Sequence, residues 1–293
     1  MHRSGQALRL PLKEDKVTIG IVGLGLIGGS LARSIKCHTK HTVLGTDLNE
    51  TALLEAKMVG AIDGELTDEK LPECGVVLVA LYPGATVSYI LSRIDSFGPG
   101  TRIVDCCGVK RWVCGRLFPA FEGRQCVYMG GHPMAGRERS GFSYSQDDLF
   151  ESASMILTPA PGTDVEVIRE LKEFFLSIGF ARVRFSTPEE HDEMISFTSQ
   201  MAHIVSSAYV NSPLSTRHRG FSAGSFRDMT RVARLNEDMW TELFLENGDL
   251  LTEQTDRLID NLKAFRDAIA DRDEKKLRAL LSEGNRIKVS LED

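Results

Sequence analysis

The chain has 293 residues, a net charge of −6 at neutral pH, and apolar and charged fractions of 42% and 26%. This length allows two domains with real cores, and the composition is that of an ordinary globular protein. The negative balance gives no overall positive field for a polyanion, so we do not expect a nucleic-acid partner.

The N-terminal residues and the cysteines indicate where the protein works. Residues 1–16 carry basic charge without an apolar core or a cleavage-like site, which predicts a loose tail and not a signal peptide. No apolar run reaches about 18 residues, so we expect neither a transmembrane helix nor a membrane partner. The six cysteines show no CxxC pair and no zinc-ligand spacing. We therefore expect reduced thiols, no metal site and a cytoplasmic location.

Short apolar segments alternate with helical ones from Val17 onward. Helices are predicted from residue 28 to about 37 and over residues 164–179, where apolar residues recur at helical spacing. The predicted strands are residues 17–23, 41–47, 75–81, 101–107, 125–131, 153–159 and 180–186. Continuous apolar strands separated by helices predict an α/β Rossmann-type, doubly wound parallel sheet.

The pattern changes after Thr187-Pro188, beyond which we find no convincing strand. Pro188 suits the first turn of a helix, with Thr187 as its cap. A rough leucine stripe predicts a long helix from about residue 236 to 270. We therefore expect a domain over residues 17–187 and an all-helical domain over residues 188–293.

A glycine motif, Gly23-x-Gly25-x-x-Gly28, follows the first strand and opens the first helix. Gly23 allows a tight turn, Gly25 lets the backbone approach a pyrophosphate, and Gly28 lets helix and strand pack closely. Leu26 and Ile27 lie at the N-terminus of that helix, which faces the phosphate charge. The motif predicts a dinucleotide site, and a plain glycine-rich turn is the alternative.

Asp47 follows Gly28 by nineteen positions, at the end of the second strand. An acidic group there accepts hydrogen bonds from the adenosine ribose hydroxyls. A 2′-phosphate would meet a like charge, and "TDLNE" offers no arginine to offset it, so NAD is favoured over NADP. An ordinary helix N-cap is the alternative role for Asp47.

His132 lies in the glycine-rich stretch "GGHPMAGRERSG", directly after the strand "QCVYM". In an open parallel sheet the ligand lies beyond the carboxyl ends of the strands, so we expect His132 near the nicotinamide. An alcohol must lose a proton as its hydride leaves, and an imidazole is a suitable acceptor. A structural histidine, hydrogen-bonded inside a turn, is the alternative.

Several segments together resemble one family, prephenate dehydrogenase. They are "IGIVGLGLIGGSLA", "GGHPMAGRERSGFSYSQDDLFESASMILTP", "HDEMISFTSQMAHIV" and "GSFRDMTRVARLNEDMWTELFLEN", and the likeness spans roughly residues 17 to 270. The resemblance implies a nucleotide-binding domain followed by a helical substrate domain that forms a homodimer through its C-terminal helices. It also implies NAD-dependent oxidative decarboxylation of prephenate to 4-hydroxyphenylpyruvate, a step of tyrosine biosynthesis.

The resemblance also implies roles for single residues. His132 hydrogen-bonds the ring hydroxyl, Arg231 binds a substrate carboxylate and His203 contacts the substrate side chain. Arginine suits this role because its fork matches a carboxylate. Further residues expected at the substrate are Gly131, Glu138, Asp228, Trp240 and Gly108.

Other readings of these residues remain open. Asp228 could close a capping box with Ser225 or pair with Arg231 on a helix surface. His203 could be a satisfied interhelical histidine, and Trp240 a core or interface aromatic. His191 and His218 look like solvated surface residues.

Position 108 departs from the family, in which a serine of a D-x-x-S-x-K pattern helps to hold the histidine and the substrate hydroxyl. Here "DCCGVK" places Gly108 there. Either water replaces the hydroxyl, Cys107 takes its role, or the site is tuned differently.

Three rival functions also remain open. One is the same chemistry on L-arogenate, which carries an amino group in place of the keto group. A β-hydroxyacid dehydrogenase is the second, although neither "SQMAH" nor "FRDMTR" supplies the lysine such enzymes use. The third is a regulator that binds NAD without turnover. The presence of a proton acceptor and carboxylate-binding residues argues against it, namely His132, His203 and Arg231.

Overall fold

The structure is a computed structural model that describes residues 16–137 and 139–292. The predicted tail, residues 1–16, lies outside the described residues apart from Lys16, and so does the predicted site residue Glu138. Within the described ranges, no helix has the length and apolar character needed to cross a membrane.

One eight-stranded sheet organises the first part of the chain, in the order β3-β2-β1-β4-β5-β6-β7-β8. The strands are β1 Thr18–Val22, β2 Thr42–Thr46, β3 Gly64–Glu65, β4 Val76–Val79, β5 Arg102–Asp105, β6 Val127–Pro133, β7 Ser154–Pro159 and β8 Arg182–Phe185. All neighbours are parallel except β6 and β7, which are antiparallel. The Rossmann-type fold predicted from the sequence is confirmed, with this one antiparallel pair as the difference.

Five helices cover the sheet: α1 Leu26–His38, α2 Glu50–Met58, α3 Pro83–Ser92, α4 Arg111–Phe121 and α5 Val165–Ser177. Strand β4 shows why its sequence is continuously apolar. Val76 and Leu78 belong to one buried cluster, whereas Val77 and Val79 belong to the other. Because successive side chains point to opposite faces, a strand buried on both faces needs apolar residues at every position.

The part of the chain that follows β8 consists of helices joined by loops, with no strand among its described residues. Its helices are α6 Pro188–Ile195, α7 Met201–Val210, α8 Gly224–Thr230, α9 Glu237–Glu246, α10 Gly248–Ala270 and α11 Glu274–Ser290. A π-helical segment, Ser196–Gln200, joins α6 to α7. Pro188 opens α6 and the Thr187 hydroxyl accepts a 3.1 Å hydrogen bond from the Glu190 N–H, which confirms the predicted cap.

The prediction of one long helix from residue 236 to 270 is wrong, because Asn247 separates α9 from α10. The Asn247 side chain is buried and donates to the Asp192 carbonyl at 3.0 Å and to Gln200 Oε1 at 2.7 Å. These bonds satisfy the buried amide of Asn247 and fix the position of the break between the two helices. The leucine pattern continues across the break and so does not reveal it.

Candidate functional site

The glycine loop between β1 and α1 has the geometry that its motif predicts. Gly23 has a φ of +86°, and a Cβ there would meet the Ala80 carbonyl oxygen at 2.6 Å. A Cβ on Gly28 would overlap the Gly23 carbonyl oxygen, so only glycine lets the helix pack this closely. Gly25, the residue before α1, has open space where its Cβ would lie, while Leu26 and Ile27 begin the helix half-buried. Open space beside a helix N-terminus fits a phosphate.

Asp47 lies beside this loop at the end of β2. Its Oδ2 accepts a 2.6 Å hydrogen bond from the Leu24 N–H and its Oδ1 accepts one of 2.7 Å from the Asn49 N–H. The N-cap of α2 is Asn49, which excludes the alternative role of Asp47 as that cap. Each carboxylate oxygen can accept a second bond, so the half-buried Asp47 retains capacity for ribose hydroxyls.

His132 lies within β6, opposite Ile156 of β7, and the irregular stretch begins after Pro133. The prediction that His132 lies in a turn is therefore wrong, since it is a strand residue. Gly131, which precedes it, is packed between strands: a Cβ there would overlap the Asp105 carbonyl oxygen and meet Met155 Cε at 2.6 Å. The structure thus places Gly131 in the sheet interior.

The described partner of the His132 ring is a second histidine. His132 Nδ1 lies 2.9 Å from His191 Nε2, and His191 Nδ1 lies 2.7 Å from Asp192 Oδ1. The prediction that His191 is a solvated surface residue is wrong, since its residue exposure is only 2%. Its acidic neighbour in the sequence suggested a solvated helix face, but α6 turns both side chains inward. His218 is half-buried, and it stacks on Phe226.

Burial keeps both histidines in the neutral form. The pKa of His132 lies well below its usual value of 6.5 because of burial first, then the neighbouring His191 and Lys110. Burial also lowers the pKa of His191, although Asp192 opposes the effect. At neutral pH His132 is therefore an uncharged imidazole able to accept a proton.

A buried charge pair fixes the carboxyl edge of the sheet around His132. Asp105 receives hydrogen bonds from Lys110 Nζ, from the Tyr128 hydroxyl at 2.7 Å, and from the backbone N–H of Cys107 at 2.9 Å and Gly131 at 3.1 Å. Burial alone would lower the pKa of Lys110, but Asp105 outweighs it and the pKa is raised. The pair ties the end of β5 to β6.

Position 108 faces His132, as the departure from the family suggested. A Cβ on Gly108 would lie 3.9 Å from His132 Nε2 and 3.2 Å from Leu243 Cδ2. Cys107 does not take the serine's role, because its thiol lies 3.3 Å from Thr86 Oγ1 and 3.6 Å from the Leu81 carbonyl. Burial raises the pKa of this thiol well above its usual value, so it stays protonated.

The helical residues reach this edge through α9. His203 on α7 lies against Trp240 of α9, with ring centroids 3.9 Å apart. His203 Nδ1 is 3.1 Å from the carbonyl oxygen of Val232, the residue after Arg231. Trp240 packs against the cluster that contains Leu243, which lines position 108. Helix α9 thus carries both Trp240, which contacts His203, and Leu243, which lies beside Gly108.

The structure places the two charged residues of this group at the surface. Arg231 follows directly after α8 and is exposed. Asp228 is exposed too, and its Oδ1 lies 3.8 Å from Arg227 Nε. Helix α8 begins at Gly224 with no side-chain cap, so the alternative capping box from Ser225 to Asp228 is absent.

Glu242 of α9 joins the two sides of the site and was missed from the sequence. Its Oε1 accepts a 2.5 Å hydrogen bond from the Gly84 N–H, in the first turn of α3. A carboxylate at a helix N-terminus is favoured by the helix dipole. Helix α3 follows β4, so this contact lies at the same carboxyl edge as the glycine loop and His132.

The arrangement has the parts of a dehydrogenase. It combines a dinucleotide-type loop, an acidic residue after β2 and a neutral imidazole at the carboxyl edge of the sheet. Among the described residues, no group of three or more histidine, cysteine or acidic side chains is placed to hold a metal. The fold and the glycine loop therefore define a nucleotide-dependent oxidoreductase.

Comparisons with known proteins identify the family. The family model for the prephenate dehydrogenase nucleotide-binding domain matches residues 31–184, and the model for the prephenate dehydrogenase dimerization domain matches residues 187–283. The chain belongs to the prephenate dehydrogenase family.

Individual relatives agree with this assignment. Prephenate dehydrogenase of Bacillus subtilis is 31% identical over 276 residues, covering 91% of this chain and 74% of the relative. Cyclohexadienyl dehydrogenase of Zymomonas mobilis is 29% identical, with 93% and 95% covered. Among solved structures, prephenate dehydrogenase from A. aeolicus in complex with hydroxyphenyl propionate and NAD+ has a TM-score of 0.84 and 26% identity, with 95% and 99% covered.

The sequence left several buried polar residues around His132 unassigned. They are Asp105, Lys110, His191, Asp192, Gln200 and Asn247, together with the half-buried Glu242. The adjacent pair His191-Asp192 was the available signal, because it opens one of the segments that carry the family likeness. The π-helical turn that follows this pair cannot be read from apolar spacing, although such turns are frequent at functional sites.

Proposed function

We propose that this protein catalyses the oxidative decarboxylation of prephenate to 4-hydroxyphenylpyruvate and carbon dioxide, with NAD as the hydride acceptor. The observation that carries the proposal is the neutral, half-buried imidazole of His132, held at the carboxyl edge of the sheet with Nε2 facing position 108. Membership of the family supplies the substrate.

The residues around the glycine loop fit a dinucleotide. Gly25 leaves the space that a pyrophosphate needs, and the N–H groups of Leu26 and Ile27 lie in the unpaired first turn of α1. Asp47 would bind the ribose hydroxyls and disfavour a 2′-phosphate. When bound, the nicotinamide supplies the acceptor for the hydride.

His132 would accept the proton of the substrate ring hydroxyl at Nε2. As the O–H bond breaks and the Nε2–H bond forms, the carbon that bears the hydroxyl loses its hydride. Loss of the ring carboxylate as carbon dioxide then leaves the electron pair of the broken C–C bond to the ring, which becomes aromatic, and the ring oxygen takes its proton back from Nε2. The neutral state of His132 is the form that this step requires.

The helical residues would hold the substrate. Arg231 has the fork that binds a carboxylate, while His203 and Trp240 lie against each other with their rings tilted by 47°. Asp228, Gly108, Gly131 and Glu138 complete the proposed substrate set. We place the division between the two domains at residues 187 and 188, where the Thr187 cap begins α6.

The C-terminal helices support a homodimer. Large apolar side chains on α9 to α11 are strongly exposed in the single chain, including Leu245 at 75%, Leu262 at 58% and Ile269 at 62%. Large exposed apolar side chains favour burial against another copy. All six cysteines are free thiols, which favours a reducing compartment such as the cytoplasm. The net charge of −6 disfavours a nucleic-acid partner.

The test is NADH or NADPH production with prephenate and with L-arogenate, each supplied with NAD and with NADP. Turnover of prephenate with NAD is the expected result. Preference for L-arogenate would keep the chemistry and change the substrate, and preference for NADP would contradict the role of Asp47. Tight NAD binding without turnover of either substrate would favour the regulator and refute the proposal.

A further inference from the structure

Three side chains form a continuous hydrogen-bonded line from the proposed base into the helical domain. His132 Nδ1 lies 2.9 Å from His191 Nε2, and His191 Nδ1 lies 2.7 Å from Asp192 Oδ1. His132 belongs to β6, whereas His191 and Asp192 belong to α6. The imidazole planes are tilted by 58° with centroids 5.1 Å apart, so the nitrogens meet edge to edge and the rings do not stack.

The environment of Asp192 keeps it an acceptor. Its Oδ1 accepts a 2.7 Å bond from the Lys110 N–H and its Oδ2 accepts a 2.8 Å bond from the Arg111 N–H, at the start of α4. The Arg111 guanidinium adds a contact of 3.5 Å from Nε to Oδ2. Two backbone N–H donors and a guanidinium point at this carboxylate, so both of its oxygens act as hydrogen-bond acceptors.

Because Asp192 accepts at one end of this line, it determines which nitrogen of each histidine carries the hydrogen. His191 Nδ1 must carry the hydrogen that it donates to Asp192, so the Nε2 of neutral His191 has a lone pair. His132 Nδ1 must then carry the hydrogen that it donates to His191. The free lone pair of neutral His132 is consequently on Nε2, the nitrogen that faces position 108.

We propose that His191 and Asp192 are positioning residues that fix the Nδ1–H tautomer of His132 and stabilise the imidazolium formed when Nε2 takes the substrate proton. This inference rests on the proposed function for the identity of that proton. The proton moves from the substrate hydroxyl to Nε2, the Nδ1–H stays in its bond to His191, and Asp192 keeps accepting the hydrogen bond from His191 Nδ1. No further reactant is needed for the step.

Position 108 increases the importance of this support. Gly108 supplies no side chain on the Nε2 side, and a Cβ there would still be 3.9 Å from the nitrogen. The side-chain contact described for His132 is therefore the one at Nδ1. The orientation of the ring depends on its place in β6 and on His191.

The first test compares His191→Phe with His191→Gln in the full-length protein. Phenylalanine keeps the ring volume and removes both hydrogen bonds, whereas glutamine can place its amide oxygen near the position of Nε2 and accept the His132 Nδ1–H. We expect kcat to fall about 10²-fold for His191→Phe and less than about tenfold for His191→Gln, the scale of a misaligned acid or base. The KM for prephenate and the affinity for NAD should change less than about twofold, because the lost interaction acts on proton transfer.

The control is His38→Phe, the same substitution at a histidine outside the candidate site. His38 lies at the end of α1 and its ring bonds to the Ser34 carbonyl. This variant should leave kcat unchanged. A merely structural role for His191 would lower the free energy of unfolding in His191→Phe and His191→Gln and leave kcat of the folded enzyme unchanged. Equal kcat for wild type and His191→Phe would overturn the proposal, as would an equal loss for phenylalanine and glutamine.

A second measurement does not depend on turnover. Imidazole ¹⁵N NMR of the wild type should show His132 neutral at pH 7 with its hydrogen on Nδ1, the tautomer less favoured by a free imidazole. In His191→Gln this preference should persist, and in His191→Phe it should be lost. Hydrogen on Nε2 in the wild type would overturn the positioning role. A wild type with the expected tautomer and no turnover would instead refute the proposed function alone.

Discussion

Gly25 and Gly28 belong to one motif, but the structure predicts opposite effects for replacing them with alanine. A Cβ on Gly25 would meet nothing within 4 Å, and its φ of −74° is open to any residue. Gly25→Ala should therefore change the free energy of unfolding by less than about 1 kcal/mol, the scale of a glycine-to-alanine change next to a helix start.

The same methyl group should weaken the binding of NAD. It would occupy the open space through which a pyrophosphate approaches the N-terminus of α1. Loss of one hydrogen bond to a charged group costs about 1.5 to 3 kcal/mol, so the Kd for NAD should rise about 10- to 150-fold. Titration calorimetry measures this Kd directly, and prephenate turnover at saturating NAD should recover.

Gly28→Ala should instead destabilise the fold. Its Cβ would overlap the Gly23 carbonyl oxygen and lie 3.2 Å from the Ala80 Cβ, and a backbone atom cannot rotate away as a side chain can. Forcing an extra methyl into packed structure costs about 1 to 3 kcal/mol, which urea unfolding would detect. The reasoning fails if Gly25→Ala binds NAD as the wild type does, or if it loses as much stability as Gly28→Ala.

Three further predictions concern the base and its surroundings. His132→Asn should lower kcat by roughly 10²- to 10⁴-fold with little change in NAD affinity, and unaltered turnover would remove His132 from the mechanism. Arg231→Ala should raise the KM for prephenate by an amount equivalent to about 1.5 to 3 kcal/mol, and unchanged prephenate binding would leave it a surface residue. The pKa values of His132 and His191 are lowered in the folded protein, so the unfolded chain binds protons first as the pH falls below about 6.5. The free energy of unfolding should thus keep its full value above this pH and fall below it by up to about 1.4 kcal/mol per pH unit for each histidine. It should fall less steeply in His191→Phe, and equal slopes for the two proteins in urea unfolding would contradict this.

The sheet could be predicted from the sequence because its signals are local. Segments such as "GVVLVAL" are apolar at every position, which only a strand buried on both faces requires. The two-residue strand β3 is too short to leave a pattern. The antiparallel direction of β7 depends on how the chain returns past β6, and the composition of "ASMILTP" does not encode it.

The site was predictable where a residue's chemistry is visible in its own segment. Gly23, Asp47 and His132 stand in motifs whose function follows from backbone shape and side-chain type. His191 was misjudged because a histidine beside an aspartate is usually solvated, and its burial depends on the packing of α6 against the start of α4. Asn247 escaped notice for a similar reason, since its partners on Asp192 and Gln200 come from distant segments.

Helix α9 contacts both the residues of the sheet edge and the helical residues of the candidate site. Glu242 accepts the hydrogen bond from the first turn of α3, Leu243 packs into the buried cluster beside position 108, and Trp240 lies against His203. At its end, Asn247 donates to the carbonyl of Asp192, the residue that anchors the histidine pair. A shift of α9 would therefore disturb the cofactor side, the substrate wall and the support of the base at once. Because one helix carries all of these contacts, a displacement of α9 breaks them together, so the geometry of the candidate site depends on the position of α9.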